Sequence, residues 1–255
     1  MTEHYRRRAP LDEILAEVDD ASIEGLAPLD QFHSGGIEAT RDLAELAKIS
    51  AGEAVLDVGS GAGGPARLLA AERGARVTGI DLTADYVELA RVLSARSKIA
   101  AEFRRANALE LPFADAGFDV VWTQHAAMNI ADRPRLYGEI RRVLKPGGRL
   151  ALHDIFIGPK PGPLHLPVPW ADGEDESHLM TPEALRRLLA DLGFAELAWQ
   201  DRTAITIASF ETTATRKSFI HLLLGEGFPD MVANMRRNYA EGRIGAAMGV
   251  FRRGS

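Results

Sequence analysis

The chain has 255 residues, of which 46% are apolar and 26% are charged. These values are typical of a globular domain, and they exclude a disordered chain, a collagen-like repeat and a coiled coil as the overall structure. Thirty basic residues stand against 36 acidic ones, for a formal net charge of −6, whereas proteins that bind nucleic acid tightly usually carry the opposite sign.

The sequence contains no cysteine, so it has no disulfide, no thiolate metal ligand and no cysteine nucleophile. Its apolar stretches are shorter than the roughly 18 residues that a membrane span needs. The first twenty residues carry charges but no apolar core after them, which argues against a secretory signal. We therefore expect a cytoplasmic protein that neither inserts into a membrane nor binds nucleic acid.

Short β-rich runs alternate with helical stretches from residue 54 onward. The β-rich runs cover residues 54–58, 76–81, 101–107, 118–123, 149–156, 195–202 and 244–251. Strands separated by helices of 10–15 residues indicate βαβ units and a mostly parallel sheet. We expect an α/β fold, a doubly wound and mostly parallel seven-stranded Rossmann-like sheet. It should form a single domain over residues 1–255, with its core at about 50–156, 181–203 and 243–253.

Three segments interrupt this alternation, namely residues 1–40, 157–175 and 210–241. The first and third are predicted to be helical, and the second holds five prolines and is predicted to be an irregular loop. Because crossover helices already cover both faces of a parallel sheet, these segments are predicted to form a lid over the ligand crevice. Between them, Thr181 is a predicted N-cap of a helix that Gly193 ends.

A glycine-rich loop follows the first predicted strand. Gly59, Gly61 and Gly64 satisfy the G-x-G-x-x-G pattern between a strand and a helix, which is typical of nucleotide-type cofactor sites. Asp81 ends the second strand, where a carboxylate can accept hydrogen bonds from both hydroxyls of a ribose. A simpler interpretation is that Asp81 caps the next helix. The pattern itself allows either a nicotinamide dehydrogenase or a methyltransferase that uses S-adenosylmethionine (SAM).

Further motifs resemble those of the class I SAM-dependent methyltransferases over roughly residues 50–155. The matching segments are D-x-G-x-G-x-G at 57–63, GIDLT at 79–83, NALELPF at 107–113, GFDVVWTQ at 117–124 and RVLKPGGRLAL at 142–152. The segments VWTQHAAMNI (121–130), HDIFIGPKPGP (153–163) and PVPW (167–170) resemble the small-molecule enzymes of ubiquinone/menaquinone biosynthesis and of sarcosine and dimethylglycine methylation. The resemblance implies the class I methyltransferase fold with helical lid elements.

The resemblance also implies cofactor contacts. Asp57 and the backbone of Gly59 and Gly61 would hold the methionine end of SAM, Asp81 its ribose, and Leu82 its adenine. Asn107 stands where many relatives carry an aspartate that binds the adenine amino group, and its side-chain oxygen can accept that bond. The remaining predicted contacts are the backbone of Ala108, the carbonyl of Gln124 facing the methionine amine, Gly63, and His33 in a segment that closes over SAM.

Two histidines are the candidates for a general base. His125 and His153 both lie near the carboxyl ends of predicted strands, where the crevice lies, although each can equally be a structural histidine. Asp154 should face away from His153 if that strand is extended. Trp170 can either offer its face to a cationic amine or pack under its loop. The other histidines lack metal-ligand spacing, so no metal site is predicted.

The expected function is methyl transfer from SAM to N, O or activated C of a small molecule, with S-adenosylhomocysteine as the product. An RNA or protein methyltransferase is a second hypothesis that the acidic charge disfavours. A third is a SAM-binding protein without catalysis, because no catalytic base is certain from the residues.

Overall fold

The computed structural model describes residues 9–213 and 219–254, with the backbone alone for residues 211–213. Residues 1–8 and 214–218, which belong to two of the predicted lid segments, and residue 255 lie outside the described residues. The strands are β1 (Ala54–Val58), β2 (Arg76–Asp81), β3 (Ala101–Arg105), β4 (Phe118–Gln124), β5 (Leu144–Ile157), β6 (Phe194–Asp201) and β7 (Ile244–Arg253).

The seven strands form one sheet in the order β3-β2-β1-β4-β5-β7-β6. The first five strands pair in parallel, and β7 lies antiparallel between β5 and β6. The predicted fold class, a mostly parallel doubly wound sheet, is therefore confirmed. In such sheets, ligands bind beyond the carboxyl ends of the strands, where the strand order reverses. Here the order reverses between β1 and β4.

Ten helices are described. They are α1 (Leu11–Ala16), α2 (Ile23–Asp30), α3 (Gly36–Leu46), α4 (Gly64–Arg73), α5 (Ala84–Ser97), α6 (Arg133–Val143), α7 (Pro182–Asp191), α8 (Thr203–Thr213), α9 (Ile220–Leu224) and α10 (Phe228–Ala240). No helix in the described part of the chain is long and apolar enough to cross a membrane.

Two helix ends test the predicted boundaries. Thr181 caps α7 as predicted, accepting a hydrogen bond at its side-chain oxygen from the N–H of Ala184. The helical segment after β6 begins at Thr203 and not at the predicted residue 210. The cause is local, because the carboxylate of Asp201 accepts the N–H of Thr203 at 2.8 Å and starts the helix directly after the strand.

The sheet carries one apolar cluster on each face. Leu56, Val121 and Leu152 pack with α6 and α7 on one face, whereas Val55 and Trp122 pack with α3 and α4 on the other. Alternate residues of the buried strands thus serve opposite faces, as the period of two requires. Both faces are therefore covered before α1, α2 and α9 are placed.

Those additional helices meet each other at the edge of the cleft. Side chains of α1, α2 and α9 share an apolar cluster with α5, and the N–H of Phe219 donates to the carbonyl of Pro28 at 3.0 Å. A buried ion pair connects α2 to the sheet domain: Arg67 on α4 contacts Asp30 at 2.6 Å, and both side chains are almost fully buried. Arg67 also donates to the carbonyl of Ala62 at 2.8 Å, so one guanidinium links α2 to the glycine-rich loop.

We predict that Arg67→Met destabilises the protein by roughly 3–5 kcal/mol, because the buried Asp30 loses its counter-charge. The matched control is Arg104→Met, which removes an arginine paired with Glu102 on the surface. Exposed pairs contribute roughly 0–1 kcal/mol, so this variant should unfold near the wild-type denaturant midpoint. Equal midpoints for the two variants in urea titrations would contradict the importance of the buried pair.

Candidate active site

The glycine-rich loop turns between β1 and α4 at the centre of the cleft. The N–H groups of Gly59 and Ser60 both donate to the carbonyl of Ile80 at 2.9 Å, which ties the loop to the end of β2. Gly61 has a φ of +50°, and a Cβ there would lie 3.1 Å from the ring of Phe32. A side chain at this position would therefore be strained and would also displace the residue that covers the loop.

Gly63, one of the predicted cofactor contacts, packs closely against two side chains. A Cβ at this position would lie 2.6 Å from the ring of Phe103 and 2.9 Å from the guanidinium of Arg67. Packed side chains thus occupy the place that a Cβ would take, and the cofactor contact of Gly63 stays a prediction. The structure gives Gly63 a packing role, which local spacing could not separate from cofactor contact.

Asp57 is the buried carboxylate below this loop. Only 2% of the residue is exposed, and its Oδ2 has no hydrogen-bond partner among the described residues. Burial, with the nearby charge of Asp81 as a smaller cause, raises the pKa of Asp57 to about 8. A buried acceptor without a donor is costly, and it marks a place where a ligand can supply the donor.

Asp81 ends β2 beside the loop and is engaged by the chain itself. One oxygen accepts the N–H of Gly61 at 3.0 Å and the other accepts the N–H of Thr83 at 2.8 Å. Burial raises the pKa of Asp81, although these hydrogen bonds oppose the shift. Each carboxylate oxygen keeps further acceptor capacity, so the helix-capping and ligand-binding interpretations are compatible. The neighbouring Leu82 is 46% exposed, as a surface for a flat ring would be.

Asn107 is partly committed to its own loop. Its side-chain oxygen accepts the N–H of Leu109 at 3.0 Å, in the turn that also contains the predicted backbone donor Ala108. That oxygen can still accept one more hydrogen bond. The structure thus leaves room for the predicted contact but shows that Asn107 also shapes the turn.

Gln124 ends β4 as predicted, but its carbonyl has other partners. Its Oε1 lies 3.0 Å from the indole nitrogen of Trp122 and 3.2 Å from the hydroxyl of Thr40. Thr40 has a single hydroxyl proton and lies closer to Oε1 of Gln31, at 2.8 Å, so Oε1 of Gln124 keeps acceptor capacity for the predicted contact with a methionine amine. That contact stays a prediction. The approach of Thr40, on α3, carries no local signal because Thr40 is distant in sequence.

Three histidines meet beyond β4 and β5. The ring centres of His125 and His153 are 4.7 Å apart, and that of His33 lies 6.0 and 5.9 Å from them. Burial lowers the pKa of all three, to about 4 for His33 and well below the ordinary value for the others. They are therefore neutral near pH 7. His33, predicted to contact the cofactor, lies in this cluster with both ring nitrogens in contact with Ser34, Gln31 or Thr40.

His125 has an unusual backbone. Its φ is +48°, in the left-handed region that residues other than glycine rarely adopt, and its N–H donates to the carbonyl of His153 at 2.8 Å. Strained residues of this kind concentrate at functional sites, where surrounding structure holds them. Asp154 faces away from His153, as predicted, and lies 3.9 Å from Arg133. The two adjacent side chains do not form a pair.

Trp170 packs under its loop and does not offer its face to the cleft. It is 2% exposed, and its indole nitrogen donates to the hydroxyl of Ser177 at 3.0 Å. Its carbonyl accepts a hydrogen bond of 2.6 Å from Asn129. Of the two interpretations open at the sequence level, the structure favours packing. Within the described residues, no group of three or more His, Asp or Glu side chains is arranged to hold a metal ion.

Residues 56–152 match the family model for the methyltransferase domain. The chain carries a methyltransferase domain. It is 40% identical over 141 residues to the methyltransferase GfsG of Streptomyces halstedii, an alignment that covers 54% of this chain and 49% of that protein. The chain thus spans about half the length of this curated relative.

Solved structures share the fold over nearly the whole chain. The [4+2]-cyclase SpnF has a TM-score of 0.70 at 23% identity, covering 96% of this chain and 92% of its own. The phosphoethanolamine N-methyltransferase 2 of Haemonchus contortus, in complex with S-adenosyl-L-methionine, has a TM-score of 0.73 at 20% identity. That alignment covers 97% of this chain and 60% of that one. At such identities the likeness concerns the fold.

The unpartnered carboxyl of Asp57 predicts that Asp57→Asn stabilises the ligand-free protein. When folding raises the pKa of a carboxyl, the folded protein becomes less stable as the pH rises from the pKa of that group in the unfolded chain toward its folded pKa, here about 8. The advantage of the variant should therefore grow between pH 5 and 8, reaching roughly 1–3 kcal/mol. Chemical denaturation at several pH values measures it.

Asp119→Asn is the matched control. Although burial opposes the shift, Lys145 and the N–H of Ala54 hold the pKa of Asp119 below its ordinary value. Its ionised form is thus stabilised by folding, and neutralising it should lower stability above pH 4. Destabilisation by both variants would show that Asp57 has a partner in solution.

Proposed function

We propose that this protein is an enzyme that transfers the methyl group of SAM to a small-molecule acceptor and releases S-adenosylhomocysteine. The observation that carries the proposal is the buried, unpartnered Asp57 carboxyl beneath a glycine-rich loop inside the matched methyltransferase domain. The names of GfsG and of the Haemonchus enzyme with its bound SAM support the same activity and cofactor.

The residues present fit the cofactor. The ammonium of its methionine part can donate to Asp57, whose ionisation this cation would favour. Asp81 keeps acceptor capacity for ribose hydroxyls, Leu82 offers an exposed apolar side chain to the adenine, and Asn107 can accept one further bond. When bound, SAM supplies an electrophilic methyl group on a positively charged sulfur.

The protein's own contribution is to position the acceptor and to exclude water. The segment from Asp30 to Ser34 lies against the glycine-rich loop, with Phe32 over Gly61, and α9 packs with α1 and α2 at the same edge. Aligning donor and acceptor can supply much of the rate enhancement of a displacement reaction. We propose that these segments form the lid, and that the protein acts in the cytoplasm on small molecules and not on nucleic acid.

The decisive measurement is calorimetric titration of the protein with SAM and, side by side, with NAD, followed by assay of S-adenosylhomocysteine release with a panel of acceptors. Binding of SAM alone, with turnover, supports the proposal. Binding of NAD in place of SAM contradicts it. Tight binding of SAM with no turnover of any acceptor favours the SAM-binding protein without methyl transfer.

Gly61→Val should reduce SAM affinity below detection. The new side chain meets Phe32 and stands where the backbone of the loop should approach the methionine part of SAM. Gly147→Ala is the matched control, since Gly147 also has a positive φ of +77° but an added Cβ there meets nothing within 4 Å. It should bind SAM within about twofold of wild type, a difference below 1 kcal/mol. Equal affinities for the two variants would remove the loop from the site.

A further inference from the structure

Two imidazole nitrogens face the interior beyond β4 and β5 without partners. Nε2 of His125 and Nε2 of His153 are both buried, and neither has a hydrogen-bond partner among the described residues. Their rings lie edge to face with centres 4.7 Å apart, so the two imidazoles that carry these nitrogens are direct neighbours. Buried polar atoms are normally satisfied, so this pair indicates a place for a polar ligand group.

The hydrogen bonds of Gln124 determine which nitrogen of His153 carries the proton. The indole nitrogen of Trp122 can only donate, so the atom of Gln124 that faces it at 3.0 Å is the carbonyl oxygen. The amide nitrogen of Gln124 then faces Nδ1 of His153 at 3.4 Å, and it too can only donate. Nδ1 is therefore an acceptor, and the neutral ring carries its proton on Nε2.

This assignment separates the roles of the two candidate bases. His153 presents a donor, because its Nε2 is protonated. His33 has contacts at both of its ring nitrogens, and Nε2 of His125 is the other unpartnered nitrogen, which accepts when the ring proton of His125 is on Nδ1. The donor of His153 thus lies beside an imidazole of His125 that is able to accept.

We propose that the acceptor is an uncharged compound with a hydroxyl group, whose oxygen accepts from His153 and donates to His125. The proposal rests on the proposed methyl transfer and names its substrate class. A hydroxyl has one proton and two lone pairs, so one lone pair can accept from His153 while the other attacks the methyl group. A neutral amine has a single lone pair and cannot do both.

The reaction balances with these two residues. A bond forms between the hydroxyl oxygen and the methyl carbon, the carbon–sulfur bond breaks, and its electron pair remains on sulfur. The hydroxyl proton passes to Nε2 of His125, so the positive charge moves from the sulfonium to an imidazolium. A weakly basic imidazole suffices, because an oxygen that is being alkylated holds its proton as an increasingly strong acid.

The charges around the cluster disfavour an anionic acceptor. The buried arginines of the described residues, Arg67 and Arg133, face Asp30 and Asp154. Burial, the other two histidines and the charge of Arg202 all lower the pKa of His153. Arg202 itself forms an ion pair with Asp42. A phosphate or carboxylate placed here would lack a free counter-charge, which makes its burial costly.

The first test is long-range proton–nitrogen correlation spectroscopy of wild-type protein with labelled histidine, with S-adenosylhomocysteine bound. We expect the His153 signal to show a proton on Nε2. In Gln124→Glu, a carboxylate faces Nδ1 and should move the proton there, and acceptor affinity should fall at least about tenfold. The control Gln200→Glu, at an exposed site on β6, should change neither result. A proton on Nδ1 in wild type overturns the proposal.

The second test compares an alcohol, a primary amine and a phosphate ester on each of three carbon skeletons, phenyl, naphthyl and geranyl. Binding is measured by calorimetry with S-adenosylhomocysteine present, and turnover is measured with SAM. The hydroxyl member should bind and react best on at least one skeleton. Preference for the amine or the phosphate on all three, or no binding by any compound, overturns the proposal.

His125→Asn separates proton transfer from binding, because asparagine tolerates the left-handed backbone at this position. It should lower kcat for the hydroxyl acceptor about 100-fold or more, a larger change than the loss of acceptor affinity that calorimetry measures for the same variant. Unchanged kcat contradicts the role of His125. If wild-type protein fails to bind SAM, the proposed function itself fails, whereas SAM binding with turnover of amines alone contradicts only the hydroxyl assignment.

Discussion

The site depends on the short hydrogen-bonded junction between the first two strands. The carbonyl of Ile80 and the carboxylate of Asp81 together accept three N–H groups from the glycine-rich loop, those of Gly59, Ser60 and Gly61. These bonds hold the loop open over the end of β1 and satisfy donors that would otherwise be buried without partners. Asp57, on β1 just before the loop, receives no hydrogen bond at its Oδ2 from the described residues.

The same region contains several buried polar groups whose partners are missing. Asp57, Ser60, His125 and His153 all have such atoms in the described structure. Each costs folding free energy in the ligand-free protein, and burial holds the aspartate protonated and the histidines neutral. A ligand that binds here gains hydrogen bonds without first breaking internal ones. The cost of leaving these groups unpaired is met on folding, so it does not reduce the affinity for the ligand.

The sequence predicts those parts of the molecule that depend on neighbours along the chain. Alternating strands and helices, the glycine-rich loop, the carboxylate ending β2 and the Thr181 cap follow from local patterns, and each stands in the structure within a few residues. Their physical causes act over a few residues, such as burial of alternate side chains and the N–H groups of a helix start. The antiparallel β7, by contrast, follows from where the chain returns after α10.

Local sequence patterns could not predict which partners individual polar side chains have in the folded protein. The amide of Gln124 is oriented by Trp122 and approached at 3.2 Å by the hydroxyl of Thr40, which comes from a helix that precedes the whole sheet. Arg67 illustrates the same limit, since an arginine in the first turns of α4 reads as a surface residue until Asp30 of α2 is placed against it. Such partners are separated by tens of residues, and only the fold brings them together.

The residues of the proposed cofactor site lie inside the matched domain, whereas several residues of the histidine cluster lie outside it. The segment 56–152 contains the glycine-rich loop, Asp57 and Asp81, the residues on which the proposed cofactor site depends. Thr40 and His33 precede the segment and His153 follows it, and these residues orient or form the histidine cluster. The proposed acceptor site thus combines His125 and Gln124, at the end of a strand common to the domain, with groups from the flanking segments. Trp122, inside the matched segment, orients Gln124 and through it sets the protonation of His153, whereas the flanking segments supply His33 and His153 themselves.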